Sequence, residues 1–155
     1  ARRAAERALD LDGGSAPALV SRGSVRGFYD WDWQGAEADY RRAIDLNPGY
    51  ALAHQWYATN FLLPLSRFDE GRARLEEAKA LDPLSPAIRV SFGVLAFFER
   101  DYDRARQVLS HLLEDDPSFG IAHFMLGGSQ QELGDLPAAS RAFSAATITG
   151  MKISP

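Results

Sequence analysis

The sequence predicts an all-α protein built as a stack of antiparallel helix hairpins. A stop signal of Asn or Asp followed by Pro recurs at intervals of 35 and 34 residues, at Asn47-Pro48, Asp82-Pro83 and Asp116-Pro117. Upstream of each stop, one small and two further apolar positions follow at spacings of four and three residues, which places them on one face of a helix. We therefore expect each period to form a helix pair that buries its apolar face only against neighbouring pairs.

The composition is that of an ordinary globular domain. Of the 155 residues, 46% are hydrophobic and 25% are charged, which argues against a disordered chain. The 17 Lys and Arg against 21 Asp and Glu give a net charge of −4, so we expect no nucleic acid binding through this chain. No apolar run approaches the roughly 18–20 residues that cross a bilayer, and we expect no membrane insertion.

The chain has no cysteine, which excludes disulfides, thiolate nucleophiles and cysteine-based metal sites. This absence leaves the compartment undecided, with the cytoplasm favoured. The sequence begins Ala-Arg-Arg-Ala-Ala-Glu without an initiator methionine and stops at Lys-Ile-Ser-Pro. We interpret it as an excerpt from a longer protein.

Each period combines two helical stretches with small residues where they are expected to cross. The second stretches share a small residue, then a large one, then a usually small one, namely Ala36, Tyr40 and Ala43; Gly71, Leu75 and Ala78; Ala105, Leu109 and Leu112; and Ala139, Phe143 and Ala146. The first stretches contain corresponding positions, namely His54, Tyr57-Ala58 and Phe61; Arg89, Phe92-Gly93 and Ala96; and His123 and Leu126-Gly127. Small residues at the crossings let two helices approach closely.

This pattern resembles the tetratricopeptide repeat (TPR) family, whose signature W-x2-L-G-x2-Y, A-x3-F and P recurs with a period of about 34 residues. The resemblance implies a right-handed superhelical stack of about eight or nine helices forming a single domain over 1–155. It divides the chain into the second helix of a preceding repeat at 1–12 and repeats at 16–49, 51–84, 86–119 and 120–150. Gly150 lies near the position where the proline of the fourth repeat would fall.

The first repeat departs most from the signature. Its large apolar position falls on Arg22 or Gly23, depending on where an extra residue is placed in the segment from Phe28 to Trp33. Because a buried unpaired Arg is costly, either Arg22 extends outward or the helix rotates to bury Val20, Val25 and Phe28.

Turn residues agree with the division into hairpins. Asp32, Asp101 and Asp135 stand where each could cap a second helix. The second repeat is one residue longer than the signature. Its Leu63-Pro64-Leu65-Ser66 segment is expected to end or kink the first helix, since proline cannot donate the helical hydrogen bond.

The segment Tyr29-Asp30-Trp31-Asp32-Trp33 is the most unusual in the chain. Trp33 falls where the family places an aromatic residue between the two helices, whereas Trp31 is either a second packing residue or an exposed aromatic anchor for a partner. With the segments that follow, it is similar to TPR arrays C-terminal to winged-helix, kinase or cyclase domains in bacterial multidomain signalling proteins. That similarity implies an effector domain outside these residues.

We predict no catalytic residue, metal site or cofactor. His54 and His123 occupy the same repeat position two repeats apart, so they cannot share a metal ion, and no H-E-x-x-H spacing occurs. The acidic runs Glu76-Glu77 and Glu114-Asp115-Asp116 are expected at helix ends or on solvated faces. Gly127-Gly128 forms no nucleotide-binding pattern, and Gly127 is expected to permit tight helix packing.

The resemblance implies a non-catalytic protein–protein interaction scaffold that binds a protein or peptide partner on its concave face. In the family, a fixed set of first-helix positions lines that face. The corresponding residues are Leu52, Gln55, Thr59, Leu62 and Leu63 in the second repeat, Ala87, Val90, Val94, Phe97 and Phe98 in the third, and Ile121, Phe124, Gly128, Gln131 and Glu132 in the fourth.

The set in the third repeat is wholly apolar, which leaves two interpretations open. It forms either an exposed floor that accepts a peptide or a face buried within the stack, and replacing Phe97 with Glu is predicted to distinguish them. The inner set lacks the Lys and Arg cluster of a carboxylate clamp. An alternative function is a regulatory or oligomerisation array that packs on its own parent protein or self-associates, and an enzyme is a distant third.

Overall fold

The computed structural model describes residues 14–149, and within that range every regular element is helical. The α-helices are α1 Ala16–Val25, α2 Trp33–Leu46, α3 Ala51–Tyr57, α4 Phe68–Leu81, α5 Pro86–Phe98, α6 Tyr102–Asp115, α7 Gly120–Glu132 and α8 Leu136–Ile148. The predicted all-α fold class is confirmed. The helix predicted at 1–12 and the proline-equivalent Gly150 lie outside the described residues.

The helices form two compact units, one with α1–α4 up to Leu84 and one with α5–α8 from Ser85. In unit 1, α1 packs on α2 and α3 packs on α4. In unit 2, the hairpins α5–α6 and α7–α8 also contact each other through α6 and α7. Stacked antiparallel hairpins are therefore present within each unit, while the division into repeats at 16–49, 51–84, 86–119 and 120–150 stays a prediction.

Aromatic residues dominate the core of unit 1. The ring of Tyr40 stacks on Tyr57 with centroids 5.5 Å apart, and Phe61 lies 6.2 Å from Tyr40 and 5.8 Å from Tyr57. Trp33 lies half-buried 6.2 Å from Phe61, between its own hairpin and the next. Each such buried side chain contributes roughly 1.5–3 kcal/mol by leaving water, so this cluster joins the two hairpins of unit 1.

Close helix approach dominates the core of unit 2. A Cβ at Gly93 would lie 2.7 Å from Cδ2 of Leu109, and one at Gly127 would lie 2.7 Å from the ring of Phe143. Each glycine thus lets the second helix of its hairpin place a large side chain directly on the backbone of the first. This confirms the packing role predicted for Gly127.

Unit 1 contains two π-helical turns, which continue α1 over Arg26–Asp30 and α3 over Ala58–Leu62. They coincide with a longer interval between the small crossing residues of each hairpin. That interval is 13 residues in unit 1, from Gly23 to Ala36 and from Ala58 to Gly71, and 12 residues in unit 2, from Gly93 to Ala105 and from Gly127 to Ala139. Because a π-turn closes i→i+5 hydrogen bonds, it accommodates the extra residue without displacing α2 or α4.

The π-turn settles the register of the first hairpin. Gly23 takes the small crossing position, where a Cβ would lie 3.2 Å from the carbonyl oxygen of Ala36. Val20 and Val25 are buried, but Phe28 is exposed, so the helix does not rotate to bury all three. Arg22 therefore occupies the large apolar position.

Arg22 forms an ion pair with Asp39 on the neighbouring helix. Its Nε and Nη2 donate to the two carboxylate oxygens of Asp39 at 2.8 and 2.6 Å, and Nη1 of Arg26 donates to the same group at 2.9 Å. The Asp39 side chain is only 5% exposed. The two guanidinium groups neutralise a carboxylate that the packing removes from water.

The predicted caps of the second helices are confirmed. The carboxylates of Asp32, Asp101 and Asp135 accept hydrogen bonds from the backbone N–H groups of Gly35, Arg104 and Ala138 at 2.9, 3.1 and 3.1 Å. The first helix of the second hairpin ends at Leu62, before Pro64, as expected of a residue that has no N–H.

Candidate interaction surfaces

The predicted binding set of unit 1 is mostly inaccessible. Leu62 and Leu63 are fully buried and Gln55 is buried, whereas Leu52 and Thr59 are half-buried. For Leu62 and Leu63, the prediction of a surface position is wrong. Leu62 belongs to the aromatic core, and the side chain of Leu63 lies so close to Gly71 that a Cβ there would be 2.7 Å from its Cδ2.

The predicted apolar stripe of the third repeat is divided between core and surface. Val90 is buried in the core of unit 2, which for this residue favours the interpretation of a face buried within the stack. Phe97 is half-buried: its ring lies 5.5 Å from that of Tyr102, and a Cβ at Gly128 would lie 3.3 Å from its Cε2. Phe97 therefore packs between its own hairpin and α7. Replacing it with Glu would disturb folding as well as any binding surface.

The remaining predicted residues of unit 2 reach solvent on two first helices that contact each other, α5 and α7. Two are exposed apolar side chains, Phe98 at 38% and Ile121 at 44% exposure, and two are exposed polar ones, Gln131 and Glu132. The others are half-buried, namely Ala87, Val94, Phe124 and Gly128. We call Phe98, Ile121, Val94, Phe124, Gln131 and Glu132 the first-helix surface.

A second surface lies in unit 1 at the turn between α1 and α2. Phe28, Tyr29 and Trp31, which we call the aromatic turn, are 53%, 77% and 72% exposed. The indole of Trp31 meets that of Trp33 edge-on, with centroids 5.7 Å apart and planes at 76°. Of the two interpretations left open for Trp31, the structure favours the exposed aromatic residue over a packing residue.

Glu37 is the centre of an ion-pair network in unit 1 that the sequence only partly indicates. One of its oxygens accepts hydrogen bonds from Tyr57 Oη at 2.8 Å, Arg41 Nη2 at 2.8 Å and Arg67 Nη1 at 2.9 Å. Burial acts to raise the pKa of Glu37, but these bonds and the two guanidinium charges outweigh it, so its pKa lies below the ordinary value. The hydrogen bond from Arg67 likewise lowers the pKa of Glu70. Both carboxyls are thus held ionised.

The two repeat-equivalent histidines make the same contact. Nε2 of His54 lies 3.0 Å from the carbonyl oxygen of Pro48, and Nε2 of His123 lies 2.8 Å from that of Pro117. Each ring therefore ties a first helix to the proline stop before it, and their repetition has a structural explanation. Among the described residues, no group of three or more potential ligand side chains could hold a metal ion. Within 14–149, no helix has the length and apolar character to cross a membrane.

No protein-family model and no curated protein matches the chain, whereas solved structures do. A tetratricopeptide repeat protein from Parabacteroides merdae is 15% identical with a TM-score of 0.80, over 96% of this chain and 57% of that one. PilW, described as a widely conserved type IV pilus biogenesis factor, is 21% identical with a TM-score of 0.77, over 97% of this chain and 69% of that one. YrrB, described as a TPR protein with an unusual peptide-binding site, is 20% identical with a TM-score of 0.61, over 94% of this chain and 74% of that one. The chain has the fold of the tetratricopeptide repeat proteins.

Proposed function

We propose that this chain is a non-catalytic interaction module that binds a segment of a protein partner on the first-helix surface of unit 2. The main observation is that Phe98 and Ile121 are exposed on two helices that contact each other. Covering such side chains releases their hydration water, which supplies most of the driving force for association. The polar Gln131 and Glu132 are available to hydrogen-bond an extended backbone at the edge.

The architecture of α5 and α7 supports this proposal. Gly128 has no side chain, so the ring of Phe97 packs directly on α7, and no side chain projects from position 128 beside it. Val94 and Phe124 remain half-buried on the same two helices. A surface of this kind offers a partner a firm apolar base, since the rings beneath are already packed.

One of the solved structures supports the proposal. YrrB is a protein of the same fold that is described as having a peptide-binding site.

A displayed library of random short peptides tests the proposal. We expect the full chain to select peptides, and Phe98→Glu or Ile121→Glu to weaken the selected peptides by about tenfold or more, as at other interface hot spots. Gln107→Glu, which adds the same charge at an exposed position of α6, is the matched control. Selected peptides that bind both surface variants as well as the control would contradict the proposal.

A second candidate is a regulatory or oligomerisation array that packs on its parent protein or on itself, as the similarity to bacterial signalling arrays implies. Leu136 and Ile148 are exposed apolar residues of α8, which favours it. The same peptide library, together with a measurement of self-association, distinguishes the two functions. Concentration-dependent self-association that Leu136→Glu abolishes, without capture of any peptide, would replace the first proposal by the second.

A further inference from the structure

One end of the first-helix surface combines an aromatic ring with a carboxylate. α5 ends at Phe98 and α7 ends at Glu132. The ring of Phe97 lies against Gly128, where a Cβ would be 3.3 Å from its Cε2, and Glu132 follows Gly128 by about one helical turn. This contact places the C-terminal ends of the two helices side by side. We call Phe98 and Glu132 the acidic end of the first-helix surface.

The ring of Phe98 is supported from within and open to solvent. It meets the ring of Phe97 edge-on, with centroids 6.3 Å apart and planes at 83°. Phe97 itself is half-buried, whereas Phe98 is among the exposed large apolar residues. An exposed ring of this kind attracts a cation through its quadrupole and also accepts the apolar stem of Arg or Lys.

The carboxylate of Glu132 has no partner within the part of the chain that the structure describes. Its side chain is exposed, and it forms no ion pair or side-chain hydrogen bond there. Arg100 is the one cation in the turns at 99–101 and 133–135, and it forms no ion pair with Glu132. The charge of Glu132 is therefore available to a binding partner.

The surroundings of Glu132 add to its negative potential. Glu99, Asp101 and Asp135 lie in the same two turns, so four carboxylates face the single guanidinium of Arg100. The C-terminus of each helix also carries a partial negative charge of about half an elementary charge. A field of this sign attracts a basic side chain and orients it on approach.

The spacing along α7 indicates where the rest of a bound segment would lie. Ile121 precedes Glu132 by eleven residues, which places both on one face of α7. At the rise of an α-helix they are about 16 Å apart along the axis. An extended chain covers this distance in about five residues.

We propose that the segment bound on the first-helix surface carries an Arg or Lys, whose stem packs on Phe98 and whose charge pairs with Glu132. An apolar side chain about five residues away in the same extended segment packs against Ile121. This inference rests on the proposed function, because it names the chemistry of the partner for the same surface.

The peptides selected from the random library test this composition. We expect an Arg or Lys to be enriched about five positions from an apolar residue. Labelled synthetic copies, and versions with that basic residue replaced by Gln, are then compared on the full chain by fluorescence anisotropy. The basic peptide should bind about fivefold more tightly, as expected of an exposed ion pair next to an aromatic ring. Its affinity should fall as NaCl is raised, because exposed charges are screened.

Variants of Glu132 test the direct contact. Glu132→Gln keeps the shape of the side chain and should weaken the basic peptide by about threefold to fivefold, while the Gln peptide binds as before. Such coupling is typical of groups that touch each other. Glu132→Lys should instead prefer a peptide with Glu at the basic position. Glu114→Gln removes an exposed carboxylate of α6 and is the matched control, which should change neither affinity.

Each contrary outcome has a distinct meaning. Selected peptides that carry no basic residue, yet lose affinity with Phe98→Glu or Ile121→Glu, would overturn this inference and leave the proposed function in place. Equal losses of the basic and Gln peptides with Glu132→Gln would also overturn it, because Glu132 would then not contact the basic residue. Failure to select any peptide would overturn both proposals. Self-association that Glu132→Gln reduces, without peptide binding, would assign the acidic end to a second copy of the chain.

Discussion

Asp39 shows how the first hairpin tolerates an arginine at the position where the tetratricopeptide repeat pattern has a large apolar residue. The guanidinium groups of Arg22 in α1 and of Arg26 in the π-turn that follows α1 both donate to this carboxylate, so its charge is compensated. Without these arginines, the charge of the buried Asp39 carboxylate would be unpaired and would destabilise the fold. The polar contact therefore replaces part of the apolar packing between α1 and α2.

We predict that Asp39→Ala lowers the free energy of unfolding by about 3 kcal/mol, because it removes a buried carboxylate that accepts three hydrogen bonds from Arg22 and Arg26. Urea denaturation followed by circular dichroism measures the change. Asp103→Ala is the control, since the pair of Asp103 with Arg106 is half exposed on both sides and should contribute less than about 1 kcal/mol. Equal losses in the two variants would contradict a special role for Asp39.

The sequence predicts contacts within one helix, but it does not predict contacts that depend on how two helices pack. Glu37 and Arg41 are four residues apart on one helix, a spacing that predicts their pairing. Arg22 and Asp39 are 17 residues apart on two helices, and their meeting depends on the register of the hairpin. The family pattern assigns Leu63 to the surface, but the π-turn before it changes which face its side chain takes.

At the scale of the element, each described hairpin has one left-handed residue in its turn, directly before the N-cap residue of the second helix. Trp31, Ser66, Arg100 and Gly134 have φ values of +56°, +59°, +62° and +81° and fall at equivalent repeat positions. Their regular recurrence shows that the hairpin geometry imposes the conformation. Only the last hairpin places there the residue that adopts it without strain.

We predict that Arg100→Gly raises the free energy of unfolding by about 0.5–1 kcal/mol, the strain relieved less the greater flexibility of glycine when unfolded. Gly134→Ala should lower it by about 1 kcal/mol, because the same position then acquires a Cβ. Thermal unfolding of both variants measures the pair. Shifts of the same sign would show that the conformation of this residue does not determine the stability of the turn.

The π-turns illustrate how far element boundaries follow from sequence. The longer interval of unit 1 can be counted directly along the chain, and it indicates that one residue must be accommodated between the crossings. The sequence does not show where along the hairpin the extra residue lies, because a helix, a loop and a π-turn can each accommodate one. The extra residue lies in the last turn of the first helix in both hairpins.

At the scale of the whole molecule, the fold class was predictable because it rests on repetition. The proline stops and small crossing residues recur across the chain, so an error at one position leaves the others in agreement. Binding residues have no such redundancy. Val90 and Phe98 belong to one predicted set, yet the first is buried and the second exposed, and only the packing of the helices decides between them.

The two units differ in how they are stabilised, and this difference leads to a prediction about pH. Glu37 and Glu70 lie in unit 1, and their pKa values are lowered from the ordinary 4.5. The ion pairs that the structure describes in unit 2, such as Arg89 with Asp115, are on the surface and contribute little. A lowered folded-state pKa means that unit 1 binds fewer protons folded than unfolded. Its stabilisation is therefore present above pH 4.5 and is lost as the pH falls through the lowered pKa values.

We accordingly predict that amides of residues 14–84 lose protection from hydrogen exchange before those of 85–149 as the solution is acidified below pH 4.5. Exchange rates corrected for their intrinsic pH dependence, resolved along the chain by mass spectrometry, measure this order. Glu37→Gln is the internal control. It removes the proton linkage at the centre of the network, so it should lower the protection of unit 1 near neutral pH and reduce its further loss in acid. If residues 85–149 open first, or if Glu37→Gln leaves the acid response of unit 1 unchanged, the ion-pair network is not what distinguishes the stability of the two units.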